Sequence, residues 1–199
     1  MTTYAFPSIT PNGSSIQLAS NTSIFQSPLN GAIQTTDRGG ERWVLNLQFM
    51  NLTGGNRAVL TAFLAKLNGQ QHRFTMKNHA ENNRGAFGGT PLVAGAAQTG
   101  KSLDIDGCSL TVTNWIRAGD WFGVNGELKM AVDDVSSDGS GLATLTFIPR
   151  LRAAPANNDP ITTSAATGTF LLSENGATWS NRPGGFSDLS ITAIEDIAA

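Results

Sequence analysis

A single stretch of this chain has the hydrophobic period of a helix, and this limits the fold more than any other feature. Its apolar residues recur at helical spacing, namely Val59, Leu60, Phe63, Leu64 and Leu67. Thr53 is placed to cap the start of this helix, Lys66 lies in its last turn, and Asn68-Gly69 can close its end. Because the other apolar runs alternate, the sequence predicts a mainly β protein with one helix, over residues 54–68.

Alternating residues flank the predicted helix on both sides. Residues 43–49, W-V-L-N-L-Q-F, place Trp43, Leu45, Leu47 and Phe49 on one face, which is typical of a half-buried strand. Residues 71–76, Q-H-R-F-T-M, indicate a second short strand. The local order is therefore strand, helix, strand.

Between residues 101 and 152 the alternation continues in short runs. They are S-L-D-I-D, S-L-T-V-T, D-W-F-G-V, E-L-K-M-A-V and L-A-T-L-T-F-I. Asn125-Gly126 separates two of them and predicts a tight hairpin, since both central positions of such a turn need positive φ. Closely spaced short strands of this kind are typical of a small barrel or sandwich.

Turn-forming segments border this block on both sides. Residues 77–100 are rich in Gly, Asn and Ala, and a loop of that length is usually functional or disordered, so we expect it to contact a partner. Residues 153–160, A-A-P-A-N-N-D-P, indicate a linker. Strand-like runs return after residue 161, among them T-F-L-L-S and F-S-D-L-S-I-T-A-I.

The low charge of the chain limits the classes of partner that it can bind. Charged residues make up 14% of the sequence, against roughly 25% in typical soluble domains. Its surface must therefore consist largely of neutral polar groups, which repel other copies weakly and make self-association easier. The net charge is −2 and the basic residues form no run, so we expect no nucleic-acid partner.

The sequence also argues against export and membrane insertion. The first residues, M-T-T-Y-A-F-P, resemble no signal peptide, and no apolar run approaches the roughly 18 residues of a membrane span. Cys108 is the single cysteine, which excludes an internal disulfide and a cysteine-rich zinc site. We expect a protein without membrane partner, metal or other cofactor.

Residues 95–102, G-A-A-Q-T-G-K-S, fit the phosphate-loop pattern G-x-x-x-x-G-K-[ST]. A phosphate loop needs a buried parallel strand before it and a helix after it. The residues that follow, L-D-I-D-G, alternate with period two, so Lys101 and Ser102 are expected to open a strand. We interpret this segment as a glycine-bearing turn, with nucleotide binding as the alternative.

Other patterns of catalytic or metal-binding residues are incomplete. His79-Ala80-Glu81 resembles half of a zinc deaminase signature, whose P-C-x-x-C half needs two cysteines. Asp104 and Asp106 precede a glycine that comes too early for a helix-loop-helix calcium site. Acidic residues that could act as a glycosidase pair lie in turn-forming sequence, namely Asp133, Asp134 and Asp138. No catalytic site is predicted.

Trp115 and Trp121 lie on either side of the sequence I-R-A-G-D, so one of the two could be exposed and stack on a sugar. The alternative is packing in the core or at an interface, where large aromatic side chains are usually buried.

Three features resemble a known family of proteins: the strand, helix and strand up to residue 76, the β block, and the strands that return after it. In particular, A-G-D-W-F-G-V-N-G, then D-G-S-G and L-T-F-I-P-R-L-R, resembles tail structural proteins of long-tailed bacteriophages. The overall plan is similar to the distal tail proteins of siphophages.

That resemblance implies a discontinuous β-sandwich belt domain, residues 1–76 plus 161–199, with an oligonucleotide-binding-like barrel inserted at residues 101–152. It further implies a hexameric ring in the virion tail, assembled in the host cytoplasm and bound to the tail tube protein and the tail hub protein. The loop over residues 77–99 would then reach a neighbour through His79, Arg84 and Phe87.

Other functions stay open at this stage. A tail tube or baseplate subunit would share the same physical features. A β-sandwich carbohydrate-binding module could use Trp115 or Trp121, and a ring subunit could also touch a host surface glycan. An enzyme acting on the cell wall through Asp133 or Asp134 is a third alternative.

Overall fold

The structure, a computed structural model, describes residues 1–197. They form one helix, α1 at Gly54–Leu67. The strands are β1 Thr3–Ala5, β2 Gly13–Ala19, β3 Thr22–Gln26, β4 Ile33–Asp37, β5 Arg42–Leu52, β6 Arg73–Lys77, β7 Gly89–Val93, β8 Ser102–Cys108, β9 Trp121–Val124, β10 Glu127–Ala131, β11 Ala143–Ile148, β12 Ile161–Thr162, β13 Thr167–Leu172, β14 Trp179–Arg182 and β15 Phe186–Glu195. The predicted mainly β class with one helix is confirmed. The last two residues of the predicted belt domain, 198 and 199, lie outside the described residues.

The C-terminal end of α1 agrees with the sequence prediction, and the N-terminal end does not. Asn68 adopts the left-handed conformation and its backbone N–H donates to the carbonyl of Ala65, so the helix closes as predicted. Gly69 also has positive φ, and a Cβ there would lie 2.8 Å from the carbonyl oxygen of Asn175. Thr53 occupies the N-cap position, but its side chain makes no capping hydrogen bond, and that part of the prediction is wrong.

Both ends of the chain build one seven-stranded sheet in the order β1-β6-β13-β15-β5-β2, with β14 also paired to β15. The long strands β5 and β15 pair antiparallel at its centre. Strands from before the barrel therefore pair directly with strands from after it, and the sheet can be completed only once the whole chain is present.

The inner face of this sheet packs against α1 and against one side of the barrel. The helix contributes Leu60, Phe63, Leu64 and Leu67, and β5 contributes Trp43, Leu45, Leu47 and Phe49. Trp121 and Leu128 of the barrel belong to the same buried cluster, and the Trp121 ring lies 4.8 Å from that of Trp43. The barrel and the sheet thus share one core, and each helps to bury the other.

The barrel is a six-stranded sheet in the order β12-β9-β10-β11-β8-β7. Its two edge strands approach each other through a bridge between Leu92 and Pro160, and the N–H of Val93 donates to the carbonyl of Asp159 at 2.9 Å. A second apolar cluster fills the interior, with Phe122 and Phe147 in edge-to-face contact at 5.6 Å. The sheet is therefore nearly closed around its own core.

The barrel is wider than the sequence predicts, since its strands run from residue 89 to residue 162. The predicted loop at 77–100 contains β7, and the predicted linker at 153–160 supplies backbone hydrogen bonds to that strand. Pro91 is atypical of a strand interior, and a register shift between Gly89 and Leu92 leaves room there for a residue without an N–H. Residues 109–113, S-L-T-V-T, form turns and not the predicted strand.

The predicted hairpin at Asn125-Gly126 is confirmed. Both residues have positive φ, 50° and 74°, and Val124 pairs with Glu127 across the turn. This hairpin, β9–β10, lies inside the barrel, with β12 on one side and β11 on the other.

Candidate assembly surface

The two-stranded β3–β4 hairpin, with its connecting turn, extends the β2–β5 ladder; we call residues 22–37 the arm. Thr22 pairs with Asp37 at its base and Gln26 with Ile33 near its tip. The N–H of Arg38 donates to the carbonyl of Asn21 at 2.9 Å, which joins the arm to the large sheet. Five strand pairs make an arm about 17 Å long before its turn.

The arm exposes apolar side chains that nothing else in the described residues covers. Ile24, Phe25 and Ile33 are 69%, 64% and 63% exposed, and Leu29 in the turn is 96% exposed. Because Ile24 pairs with Thr35 and Ile33 with Gln26, the two isoleucines share one face and Phe25 lies on the other. An isolated two-stranded hairpin is marginally stable in water, and this one leaves its apolar groups in solvent.

Both outer edges of the arm also have unpaired backbone groups within residues 1–197. Edge strands are usually protected by lysine, proline or a bulge, and the arm strands have none of these. Asp37, at the base, is the single charged residue of the arm. These properties are typical of a surface that is covered by another protein chain.

A second exposed apolar region lies at the far end of β5. Met50 is 51% exposed there, and Trp179 and Phe186 of the β14–β15 hairpin are each 40% exposed. A cavity of about 520 Å³ lies along β5, β15 and β14 at this end of the sheet, and we call it the β14 groove. Its lining includes Gln48, Met50, Ser180, Arg182, Asp188 and Ser190.

Polar groups hold one wall of the β14 groove in place. Arg182 Nη2 donates to Asp188 Oδ1 and to Asn51 Oδ1, each at 2.7 Å, and the N–H of Asn51 donates to the same Asp188 oxygen at 2.8 Å. The Asn51 N–H, with help from the Arg182 guanidinium, holds the pKa of Asp188 below its usual value. The charged groups of the groove therefore already have partners.

The base of the arm is held by the barrel through Glu41. Glu41 Oε1 accepts the backbone N–H of Arg150 at 2.8 Å, and Glu41 Oε2 lies 3.1 Å from Lys101 Nζ. The guanidinium of Arg152 donates to the Glu41 carbonyl. Glu41 is buried, and it follows the arm by only a few residues, so these contacts fix where the arm leaves the body.

A second set of buried charges continues from this point into the barrel. Lys129 is fully buried, and its Nζ lies 2.5 Å from Glu127 Oε2 and 2.8 Å from the Arg150 carbonyl. Burial lowers the pKa of Lys129 and raises that of Glu195, whose carboxylate accepts the Trp43 N–H at 3.0 Å. Since each charge has a partner, the network joins barrel and sheet.

The segment predicted to reach a neighbour instead lies against its own barrel. Asp120 is buried and accepts the N–H groups of Arg84 and Gly85, each at 2.7 Å. Asn83 donates to the carbonyls of Trp121 and Thr163 at 2.8 and 3.0 Å. Polar groups therefore fix this segment to the barrel of its own chain, and its contact with a neighbour stays a prediction.

Of the three residues predicted as assembly contacts, Arg84 and Phe87 have partners in this chain. His79 is half-buried, and its pKa is lowered by burial and then by the charge of Lys77. Arg84 is exposed and donates to the Ala118 carbonyl at 2.5 Å, while the Phe87 ring packs edge-to-face on Trp115 at 5.5 Å. Their role between subunits stays a prediction.

Neither tryptophan predicted for glycan contact offers a free ring. Trp115 is fully buried and its Nε1 donates to the Gly88 carbonyl at 2.9 Å. Trp121 is 7% exposed because it packs between the barrel and Trp43. The interpretation of these residues as a sugar-stacking platform is wrong, and their alternative, core packing, is what the structure shows.

The phosphate-loop pattern falls between two antiparallel strands of the barrel, β7 and β8. Gly95 and Gly100 have positive φ, Ser102 begins β8, and Lys101 pairs with Glu41, so the predicted turn into a strand is confirmed. A strand in place of the helix leaves no row of N-terminal amides for a phosphate.

The remaining candidates for chemistry occupy structural positions. Asp138 accepts the N–H groups of Ser140 and Leu142, which lower its pKa. Asp134 accepts the Ala118 N–H at 2.9 Å, and Asp104 accepts the Thr144 hydroxyl at 2.6 Å. Within the part of the chain that the structure describes, no group of three or more His, Cys, Asp and Glu residues is placed to hold a metal ion.

Cys108 is buried in the barrel core, and burial, with the charges of Asp106 and Asp138, raises its pKa to about 11. A thiol in this state is a small buried apolar group and a poor nucleophile. In residues 1–197, the helix is too short to cross a membrane.

Sequence reasoning missed the arm, although one signal for it is present. The segment S-P-L-N-G at residues 27–31 combines turn-forming residues and separates the runs T-S-I-F-Q and I-Q-T-T-D. Comparisons with known proteins add no functional residue: no family model matches this sequence, and no curated protein matches it either.

Proposed function

We propose that this chain is a non-enzymatic structural subunit of a bacteriophage tail. It would form a ring of about six copies at the distal end of the tail, joining the tail tube protein to the tail tip or hub protein. A tail tube or another baseplate subunit would use the same kinds of contact. The observation that carries the proposal is the arm, a hairpin that extends from the body and exposes four large apolar side chains, with no covering partner among residues 1–197.

Three further properties support a structural role in a larger assembly. The chain has 14% charged residues, so its copies repel one another weakly. The barrel and the sheet share a core and a buried charge network, which makes the body suited to carry load. Two of the acidic residues considered for catalysis, Asp134 and Asp138, accept backbone N–H groups.

Light scattering of the purified protein over a wide range of concentrations tests self-assembly. The expected result is a closed species of about six subunits that replaces the monomer as concentration rises. The matched control lacks the arm: residues 22–37 are replaced by Asn-Gly, which keeps the hydrogen bond between Asn21 and Arg38 as a tight turn. This variant should stay monomeric and melt like the wild type.

A wild-type protein that is monomeric at the highest concentration would contradict a self-assembling subunit. The tail position has its own test, which is electron microscopy of virions labelled with antibody against the chain. Label at the end of the tail opposite the head supports the distal ring, whereas label along the whole tail indicates a tube subunit.

A further inference from the structure

We propose that a cavity at the β1 edge of the large sheet binds an acidic segment of another protein, with an apolar side chain inside the cavity and a carboxylate beside Lys77 and His79. The cavity has a volume of about 240 Å³ and lies where β1 ends and β6 continues. This inference goes beyond the proposed function, since it requires neither a ring nor the arm.

The end of β1 creates this cavity. The strand β1 pairs with β6 as far as Ala5, which lies opposite Thr75. Pro7 has no N–H and cannot continue such a ladder. Among residues 1–197, Lys77 therefore has a strand partner on one side of β6 only, where it pairs with Thr167. The other side of β6 is left open at this point, and an extended segment of another chain can lie along it.

The cavity has an apolar lining that is already held in place. Phe6 and Pro7, which follow β1, contribute to this lining together with Met76 of β6. The Phe6 ring lies 5.2 Å from the ring of Phe63 and 5.7 Å from that of Phe74, so the main core fixes its position. A site that does not have to reorganise loses less free energy when it binds.

Two basic groups line the same cavity, Lys77 and His79. Lys77 is exposed and forms no ion pair with a carboxylate of residues 1–197. Burial, and then the charge of Lys77, lower the pKa of His79. A carboxylate beside both groups would be attracted to the Lys77 ammonium and would favour the protonated imidazole of His79.

Glu81 is the third titratable group in this region, but it does not line the cavity. Its Oε1 accepts a hydrogen bond from Asn83 Nδ2 at 3.2 Å, and its carboxylate also accepts the N–H of Ala165. Burial raises the pKa of Glu81, and the charge of Lys77 and the Ala165 N–H act in the opposite direction. Glu81 is thus held by other groups, and Lys77 stays available to a carboxylate from outside.

The size of the cavity favours a single side chain of a partner over a whole small molecule. Small-molecule sites have volumes of roughly 300–1,000 Å³, and this cavity has about 240 Å³. A free inorganic anion would use the two basic groups and leave the apolar lining in water. An apolar residue next to an aspartate or glutamate, in an extended segment, uses both.

Titration of the two histidines by nuclear magnetic resonance tests the site in the whole chain. The probe is the peptide acetyl-Leu-Asp-amide, and acetyl-Leu-Asn-amide, which has the same shape without the charge, is the matched control. The acidic peptide should raise the pKa of His79 and leave that of His72, which packs on Tyr4 outside the cavity, unchanged. The neutral peptide should bind about tenfold or more weakly. Because peptide binding and proton uptake are linked, the affinity for the acidic peptide should rise as the pH falls through the range in which His79 gains its proton.

A pair of lysine variants gives a second readout. Lys77→Gln should weaken binding of the acidic peptide about tenfold or more. Lys66→Gln removes the same charge from an exposed position of α1 outside the cavity and should leave binding unchanged. Both side chains are exposed, so both variants should melt like the wild type.

Three results would overturn the proposal. Equal binding of the acidic and the neutral peptide would show an apolar cavity without recognition of a carboxylate. An equal rise in the pKa of His79 with acetate alone would show a simple anion site. No response of His79 to the acidic peptide at roughly 10 mM, tenfold above a millimolar Kd, would show that the cavity does not bind such a segment.

Discussion

The chain contains two short hairpins with similar local structure and opposite surroundings. The β9–β10 hairpin and the β3–β4 hairpin of the arm each pair two strands of four or five residues, and each has a glycine with positive φ in its turn. In the barrel both outer edges are paired and the residues of β9 are all buried, whereas the arm has free edges and exposed side chains. A hairpin of this kind stabilises the fold only where neighbouring strands pair with its edges and cover its side chains.

Phe122 and Phe25 make the comparison quantitative. Phe122 is fully buried in β9 against Phe147, and Phe25 is 64% exposed in the arm. The same side chain, on the same kind of strand, therefore stabilises the monomer in one hairpin and exposes apolar area in the other.

The largest effect is expected for Phe122→Ala. Loss of a fully buried aromatic side chain costs about 3–5 kcal/mol of unfolding free energy, a large part of the total for a domain of this size. Urea denaturation below the assembly concentration measures it. Phe25→Ala, the control, should shift the unfolding free energy by less than about 0.5 kcal/mol. Equal losses in both variants would show that the arm packs on the monomer.

Thiol reactivity should differ between the two regions by about a hundredfold. The pKa of Cys108 is about 11, against an ordinary 9.0, so at pH 8 its thiolate is about a hundred times scarcer than that of an exposed cysteine. In Ile24→Cys, a maleimide should label the arm thiol first and Cys108 only on unfolding. Rapid labelling of Cys108 in the wild type would mean that the barrel opens easily.

A smaller effect is expected for Phe25→Ala on assembly. Truncation of an aromatic residue in an interface costs about 1–2 kcal/mol or more, so the concentration for half-assembly should rise about tenfold. Light scattering or analytical ultracentrifugation gives that concentration. Val59→Ala, which truncates a half-exposed apolar residue of the helix, is the control and should leave it unchanged. Unchanged assembly in Phe25→Ala would exclude this residue from the contact.

The smallest effect concerns the two turns. Gly126 and Gly31 both have positive φ and free space where a Cβ would lie, so replacement by alanine strains only the backbone, by about 1 kcal/mol. Gly126→Ala should lower the global unfolding free energy by that amount. Gly31→Ala should leave it unchanged and increase only amide exchange in the arm, measured by hydrogen exchange. A global loss in both variants would mean that arm and barrel unfold together.

The sequence predicts those parts of the fold whose side chains face a core in the same chain. The helical period of α1 and the alternation of β5 arise because one face of each is buried, and the Asn125-Gly126 turn is specified by backbone conformation alone. The arm has no such period: its apolar residues lie on both faces, since no face of it is buried in the monomer. A segment that packs on another chain therefore has little signal of its own.

The errors at the barrel have a different origin. The sequence does not predict β7, because Pro91 is atypical of a strand. The register shift that tolerates this proline depends on the paired strand β8 and cannot be read from β7 itself. The burial of Trp121 likewise depends on Trp43, which is distant in the sequence and reaches it only when the barrel packs on the sheet. Local sequence patterns predict the strands, whereas the burial of each side chain depends on how the two sheets pack against each other.

The contacts of Glu41 have a consequence for the size of any ring. A ring closes only when every subunit is rotated from the previous one by the same angle, so a small error repeated at each contact produces an open spiral instead. The direction of the arm is fixed where Glu41 meets Lys101 and the backbone of Arg150, at the junction between the arm and the barrel. In the proposed assembly, the number of copies would therefore depend on Glu41 and its contacts, and a change there could alter the symmetry of the ring without altering the exposed apolar residues of the arm.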